Sequence, residues 1–410
     1  MALTHLTRAQ RSGGSDALER PIAPADRIVS IDILRGIALF GVMAINVVTV
    51  FRVSIFAQFL SAPTGGSWLD RVLHAVLTIG IDLKAFALFS LLFGTGLAIQ
   101  HDHLSESPHR TVLLIRRLAF LMLVGAVHLV LIWNGDILLE YALAGFVVLP
   151  FLSASTRMLV TAGCLLLVLF VAAPFLPPIA SMPSRPWMIL HAAEAARTYG
   201  SGGFADVLMF RVRELPAILP LHVFIFPRTV ALMLIGASAW RTGWLRTGAS
   251  QLPFAASAAI IVGGTIASLV FDGLLSTDWR IELAFERLGT VLLACGYAAA
   301  IIWATRNARG QRVLAWAGPV GRMAFSNYLL QSLIFGWIFY GYGLGLFGRL
   351  GVASALGIGT CVYVLQVVCS AFWLRRYLYG PMEWLWRSAM YGEWQPMMRL
   401  EARSIYGGRH

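Results

Sequence analysis

The chain alternates long apolar stretches with short polar ones. Runs long enough to cross a hydrocarbon layer as helix, about 20 residues, fall at 29–51, 73–99, 113–133, 137–152, 158–176, 218–240, 252–275, 283–304, 318–340 and 352–374. None shows the ~10-residue alternation of a barrel strand. The pattern predicts an all-α polytopic membrane protein, with about ten transmembrane helices over residues 28–376. The fourth run is short, which suits a tilted or partly re-entrant helix.

Three polar segments frame the runs. Residues 1–27 are Ala/Ser/Gly/Arg-rich and read as a disordered tail. No small-residue cleavage site follows the first run, so that helix is expected to be a retained anchor. The longest connection, 177–217, carries Pro177, Pro178, Pro183 and Pro186, then Glu194, Asp206 and Glu214, and predicts a short interfacial helix or lid. Residues 377–410 set Trp384, Trp386 and Trp394 beside Arg376 and Arg387, the pattern of an interfacial anchor.

Composition narrows the class. Of 410 residues 58% are hydrophobic and 13% charged, and the mean hydropathy is +0.74, which excludes a soluble globular domain. A net charge of +12 would point to nucleic acid in a soluble protein. Here arginines at the cytoplasmic ends of helices account for it, and no nucleic-acid partner is expected. With ten spans both termini share one side. The connections and tails on that side, together with Arg116 and Arg117 at the start of the third run, carry 19 arginines and the opposite connections 8, so both ends are predicted cytoplasmic. Cys164, Cys295, Cys361 and Cys369 lie in apolar runs without a CxxC pair, which indicates neither metal site nor disulfide.

An ionisable side chain inside a span is costly unless paired or hydrated, so each marks a candidate site. In the first span Asp32 and Arg35 are about 60° apart on a helix and can pair, and Asn46 returns to within about 20° of Arg35's face. This polar stripe fits a binding surface or a structural ion pair with a packing amide. In the second, Asp82 and Lys84 are about 200° apart on a continuous helix, which keeps them from facing one cavity. Lys84, the single lysine, is the candidate to face it. His128 closes the third span, and Asp136 and Glu140 open the fourth. A carboxylate there can orient the imidazole as a general base, or Asp136 can serve as a helix cap beside a merely hydrogen-bonded histidine. His74, near Asp70 and Arg71, is a second candidate base or a solvated interfacial residue. Arg228 sits mid-span and needs a partner; Glu286 and Arg287 open the eighth span; Arg322, Asn327 and Tyr328 line the ninth. Gly343–Gly348 matches GxGxxG, but no strand precedes it and it carries no dinucleotide site.

By depth these groups form an inner layer of Asp32, Arg35, Arg322 and Asn327 and an outer one of His128, Asp136, Glu140, Glu286 and Lys84. Such layering suits an enzyme with a cytosolic anionic ligand and an extracytoplasmic acceptor, and equally a transporter.

Five segments carry a resemblance: RIVSIDILRGIALFGVMAIN (Arg27–Asn46), FALFSLLFGTG (Phe86–Gly96), HLVLIWNGDILLEYALAG (His128–Gly145), GRMAFSNYLLQS (Gly321–Ser332) and YGPMEWLWR (Tyr379–Arg387). Over nearly the whole chain after the tail it resembles the YeiB-like family of bacterial inner-membrane proteins, the domain of unknown function 418. The D-x-x-R-G pattern of Asp32, Arg35 and Gly36 is also similar to the wider transmembrane acyltransferase group, which includes lysosomal glucosaminide N-acetyltransferases and O-acyltransferases of bacterial surface glycans. That resemblance implies a ten-helix core in the cytoplasmic membrane, an acyl-CoA-type donor from the cytoplasm and transfer to a sugar hydroxyl or amine outside. Many of those O-acyltransferases place a histidine eleven residues after the arginine, where this chain has Asn46. The glucosaminide enzymes use a histidine between the first two spans, where only His74 falls.

The leading expectation is therefore a membrane acyltransferase-like protein acting on an envelope glycan, lipid or small-molecule acceptor. Arg35 and Arg322 would bind the donor with Asp32 fixing Arg35's rotamer. His128, oriented by Asp136, would deprotonate the acceptor, and Lys84 would stabilise the oxyanion. Asn46, Arg228, Glu286, Arg287, Asn327 and Tyr328 complete the candidate binding set. Acyl-CoA is a co-substrate here, with no resident cofactor or metal. The alternatives are a transporter or flippase for an anionic or lipid-linked solute, against which the lack of a visible internal repeat counts, and a non-catalytic membrane partner subunit.

Overall fold

The structure, a computed structural model, describes residues 28–60, 67–245, 254–269 and 278–399. The predicted N-terminal tail, the ends of the seventh run and the last residues of the C-terminal segment lie outside these. Among the described residues the chain forms fifteen α-helices and no strand. They are α1 (Val29–Asn46), α2 (Trp68–Gly80), α3 (Lys84–His103), α4 (Arg110–Val127), α5 (Leu138–Val148), α6 (Thr156–Ala172), α7 (Arg185–Ser201) and α8 (Phe204–Arg241). The chain continues through α9 (Phe254–Leu269), α10 (Trp279–Ala304), α11 (Ala308–Leu314), α12 (Ala317–Arg322), α13 (Ala324–Phe339), α14 (Val352–Arg376) and α15 (Pro381–Tyr391). Single π-helical turns extend α1 to Phe51 and α4 to Ile132.

Seven helical stretches are long and apolar enough to cross a membrane: Val29–Phe51, Trp68–His103, Arg110–Ile132, Thr156–Phe175, Phe204–Arg241, Trp279–Ala304 and Val352–Arg376. Leu138–Ser153, Phe254–Leu269 and Ala324–Phe339 are apolar but shorter. Each of the ten apolar runs thus falls on a helix, and seven of them have full spanning length. The reason lies in solvation: in hydrocarbon a helix satisfies every internal backbone group within its own segment. Lipid-facing positions remain apolar, as at Leu165, Val168, Leu365 and Phe372, all exposed on the bundle, whereas α1 is buried along most of its length and forms the centre.

Three runs differ from the simple expectation. The second is interrupted: α2 stops at Gly80, Leu83 takes a left-handed conformation (φ 57°), and α3 restarts at Lys84. The sixth begins at Phe204 instead of 218, because α8 runs unbroken through Pro216, Pro220 and Pro227. The ninth is split at Met323 between α12 and α13. At 38 residues, α8 has about 57 Å of rise, roughly twice a ~30 Å hydrocarbon layer. Its first half, with α7, forms a cap built from the 177–217 connection.

Helices meet closely where glycine replaces a side chain. A Cβ on Gly94 of α3 would strike the Met233 backbone of α8, and one on Gly236 of α8 would strike the Leu91 carbonyl. The same reciprocity joins α1 to α12: Gly36 faces the Ala317 carbonyl and Gly321 the Asp32 carbonyl. Without a hydrophobic force between helices in lipid, such close backbone contact supplies the packing. The α1–α12 crossing matters most, because Asp32, Arg35 and Arg322 lie on it.

Candidate functional site

A cavity of about 280 Å³ opens at the α1–α12 crossing and runs inward between α1, α3, α4 and α13, with α15 closing its mouth. Four arginines line it: Arg35 from α1, Arg117 from α4, Arg322 from α12 and Arg387 from α15. Against them stand two carboxylates, Asp32 and Glu383, so the mouth is formally positive. Asp32 pairs with Arg35 at 3.5 Å across one helical turn. Gly96 lies against that guanidinium, where a Cβ would come 3.3 Å from Nη2. Arg117 stacks over Trp386 at 4.2 Å, while the Trp386 indole donates to the Arg117 carbonyl at 2.7 Å. The buried Nε atoms of Arg117 and Arg322 have no acceptor in the protein.

Glu383 holds the mouth together. It accepts from the Phe325 and Ser326 backbone N–H groups at 2.8 and 3.1 Å and from the Ser326 hydroxyl at 2.5 Å, capping the N-terminus of α13. Burial pushes its carboxyl above the ordinary range, against the pull of these donors.

Beyond the arginines the lining turns apolar: Leu39 and Val42 on α1, Phe89 and Leu92 on α3, and Leu121 on α4. Positions 35, 39, 42 and 46 share one face of α1 at helical spacing. The cavity ends after Val42 at Tyr141 and Tyr328, so Asn46, buried one turn further on, lies beyond it.

Behind Tyr328 sits His128, with ring centres 5.3 Å apart. The α4 helix delivers His128 about 16 Å above Arg117, eleven residues along. A turn, Trp133–Asp136, then brings Asp136 back to it. His128 Nδ1 and Asp136 Oδ1 are 2.7 Å apart with both side chains fully buried. The other Asp136 oxygen accepts the Leu139 N–H at 2.7 Å, so the residue caps the start of α5 as well. The two oxygens of one carboxylate thus make the His128 contact and the cap of α5. His128 Nε2 has no partner. Neither has the neighbouring Trp133 indole N–H, whose ring lies 6.2 Å away. A carboxylate-bound imidazole with its far nitrogen vacant can accept a proton there.

The remaining candidates divide. Glu140 is not a partner of His128: it accepts from His222 at 2.9 Å and from Thr229 at 2.5 Å, both on α8. Lys84 donates to the Thr78 carbonyl at 2.9 Å and lies within electrostatic reach of Asp82 and Glu286, a different group from the histidine. The break at Leu83 removes the continuous rotation that would have set Asp82 and Lys84 apart. Arg228 and Arg287 join this group, both beside Phe170, with Arg287 donating to its carbonyl at 2.7 Å. Asn327 bonds Ser370 at 3.0 Å between α13 and α14, a packing contact. His74 is exposed on α2. Sequence reading missed Arg117, Arg387, Glu383 and His222; two of these are arginines that charge topology alone accounted for.

The sequence is similar to known proteins along most of its length. Residues 239–393 match the family model described as protein of unknown function (DUF418). The uncharacterised protein YxaH of Bacillus subtilis is 33% identical over 404 residues, covering 93% of this chain and 98% of that protein. The uncharacterised protein YeiB of Escherichia coli is 29% identical over 386 residues, or 88% of this chain and 96% of YeiB. An uncharacterised 39.9 kDa protein from Bacillus acidopullulyticus is 26% identical over 386 residues. With sequence similarity along nearly its full length to these relatives, this chain belongs to the YeiB-like family of proteins that carries the DUF418 domain.

Proposed function

We propose that this protein is a cytoplasmic-membrane acyltransferase-like enzyme that moves an acyl group from an acyl-CoA-type donor to an acceptor on the opposite face. The observation that carries this reading is one cavity with an arginine mouth, an apolar middle and a histidine–carboxylate pair behind its inner end. In this orientation the mouth faces the cytoplasm, all ten apolar helices cross or enter the membrane, and both termini lie inside. Arg35, Arg117, Arg322 and Arg387 hold the donor's phosphates, and the orphaned Nε atoms of Arg117 and Arg322 find their acceptors there. The pantetheine arm and acyl chain lie along Leu39, Val42 and Phe89.

At the inner end His128 Nε2 takes the proton from the acceptor hydroxyl or amine as its oxygen or nitrogen attacks the thioester carbonyl. The carbon–sulfur bond breaks, the ester or amide forms, and the proton passes from His128 to the departing thiolate. Asp136 holds the ring in the tautomer that leaves Nε2 free. The unpartnered Trp133 N–H is the donor placed to stabilise the oxyanion, a role the sequence reading gave to Lys84.

The test is binding of CoA and acetyl-CoA to the detergent-purified protein beside Arg35→Ala and Arg117→Ala. We expect micromolar affinity, weakened about tenfold or more in each variant, the effect of one charge-assisted contact. No binding by a folded sample would overturn the donor site. Orientation is tested separately in a background with the four native cysteines replaced by serine. A cysteine at exposed Glu194 should react with an impermeant maleimide in intact cells, and one at exposed Ser105 only after permeabilisation; the reverse pattern would invert the topology.

One feature favours a second reading, a transporter. The broken helix at Leu83 sets Asp82, Lys84, Glu286 and Arg228 around irregular backbone, as in discontinuous transporter helices. Solute uptake into proteoliposomes, abolished by Lys84→Ala and unaffected by His128→Ala, would favour transport over transfer.

A further inference from the structure

The cap contains a second pocket, of about 210 Å³, between α7 and the first half of α8. Phe210, in its wall, and Trp240, in the arginine cavity, are thirty residues apart on α8, about 45 Å of helix rise. The two openings are therefore at opposite ends of the bundle.

The floor of this pocket is a built polar site. Glu214 turns one carboxylate oxygen inward, where Oε2 accepts from the Tyr199 hydroxyl at 2.9 Å and from the Asn134 amide. Its Oε1 makes no hydrogen bond but lies 3.3 Å from His191 Nε2, a contact that becomes an ion pair only when the ring is protonated. The other ring nitrogen of His191, Nδ1, is also unpartnered. Glu214 is 2% and His191 8% exposed. Buried polar atoms in folded proteins are paired with few exceptions, and two orphans at one pocket floor mark a place where a ligand supplies the partners.

Charge and shape identify the ligand class. Glu194 at the rim and Glu214 at the floor are balanced by Arg213 at the rim and the fully buried Arg211 behind Glu214. Burial holds the His191 imidazole below its ordinary range and favours its uncharged form. Acidic and basic side chains thus alternate around the pocket, which presents no field of a single sign to a charged ligand. Glu214 Oε1 needs a donor, and His191 Nδ1 can give or take a hydrogen bond; a hydroxyl satisfies both. Trp187 and Phe210 supply aromatic walls, and the volume is below that of a drug-sized site, enough for a single ring.

We propose that this pocket binds one neutral, hydroxyl-rich ring, of the size and chemistry of a single sugar unit, and that it is the acceptor site of the protein. The binding claim stands on the pocket; its designation as acceptor rests on the acyl-transfer reading. A structural link favours the designation: Asn134, which bonds Glu214, lies two residues before Asp136 in the turn that returns to His128. Filling the pocket therefore acts on the segment that carries the dyad's carboxylate.

The test uses the full-length detergent-purified protein with methyl β-glucopyranoside, methyl β-galactopyranoside and N-acetylglucosamine as probes, and choline and acetate as charged controls, read by saturation-transfer NMR. At least one pyranoside is expected to bind saturably and to weaken about tenfold in Glu214→Gln, as for one lost hydrogen bond to a charged group. The rim variant Trp187→Ala, which leaves the buried network in place, should weaken it too. No saturable pyranoside binding, binding unchanged in both pocket variants, or preference for choline or acetate would each overturn the proposal. Pyranoside binding in a protein that fails to bind CoA would keep the pocket and remove the acceptor role.

Discussion

Replacing His128 with alanine is expected to reduce acetyl-CoA-dependent acyl transfer by about 10²–10⁴-fold, the usual contribution of a positioned general base, while CoA binding stays within twofold or so of wild type. The separation follows from geometry. His128 is fully buried behind Tyr328 and touches none of the mouth arginines. Asp136 gives the sharper version of the test, because its two oxygens do different work. Asp136→Asn keeps a carbonyl oxygen for the Leu139 N–H and so preserves the start of α5, but it removes the charge that steadies a protonated imidazole. Asp136→Ala loses both. Turnover should fall in both variants, and the thermal midpoint should drop only in the second, by the equivalent of about 1 kcal/mol for a lost cap. Wild-type turnover in His128→Ala would remove the dyad from the mechanism, and equal stability in the two Asp136 variants would remove its capping role.

The largest structural effect is expected at Gly321. A side chain there meets the Asp32 carbonyl of α1, a backbone atom that cannot swing aside, just where Gly36 meets the Ala317 carbonyl in return. Gly321→Val should therefore part the two helices, cost about 3 kcal/mol, at the upper end of overpacking effects, and abolish CoA binding because Asp32, Arg35 and Arg322 lose their common frame. Gly318 on the same helix is the control: a Cβ there meets nothing within 4 Å, so Gly318→Ala should be neutral or stabilising by up to about 1 kcal/mol, the helix-propensity difference. Thermal unfolding in detergent and CoA titration read both. A Gly321→Val protein as stable as wild type would mean that this crossing is not as close as described.

Much of the bundle was legible from apolar runs, since the hydrocarbon demands helices of a known length. The Asp32–Arg35 pair followed from helical spacing alone. His128 with Asp136 followed from a base and an acid on either side of a short Asn-Gly turn. What was not legible depended on backbone departures and on long-range assembly. Nothing in Ile81-Asp82-Leu83 signals a left-handed residue, because leucine pays a steric penalty there that only the finished fold imposes. Asp136 precedes the first turn of α5, so it and Glu140 do not share one helix face, and Glu140 faces α8 instead. His222 lies within the predicted sixth run, but its pairing with Glu140 depends on how α8 packs against α5, which the sequence does not show. Arg117 and Arg387 looked like topology markers because their meeting requires α15 to fold back against α4.

That last contact has a bearing on biosynthesis. Arg35 belongs to α1 and Arg387 to α15, the first and last of the described helices, 352 residues apart. At 5–20 residues per second, an interval of roughly 20–70 s separates them. Throughout it the opening helix must sit in the translocon or the bilayer with a guanidinium whose eventual surroundings do not yet exist. The Asp32 carboxylate one turn away is the only counter-charge that helix brings with it, so the pair acts first as an escort for insertion. Only once α15 has been synthesised can the mouth be complete.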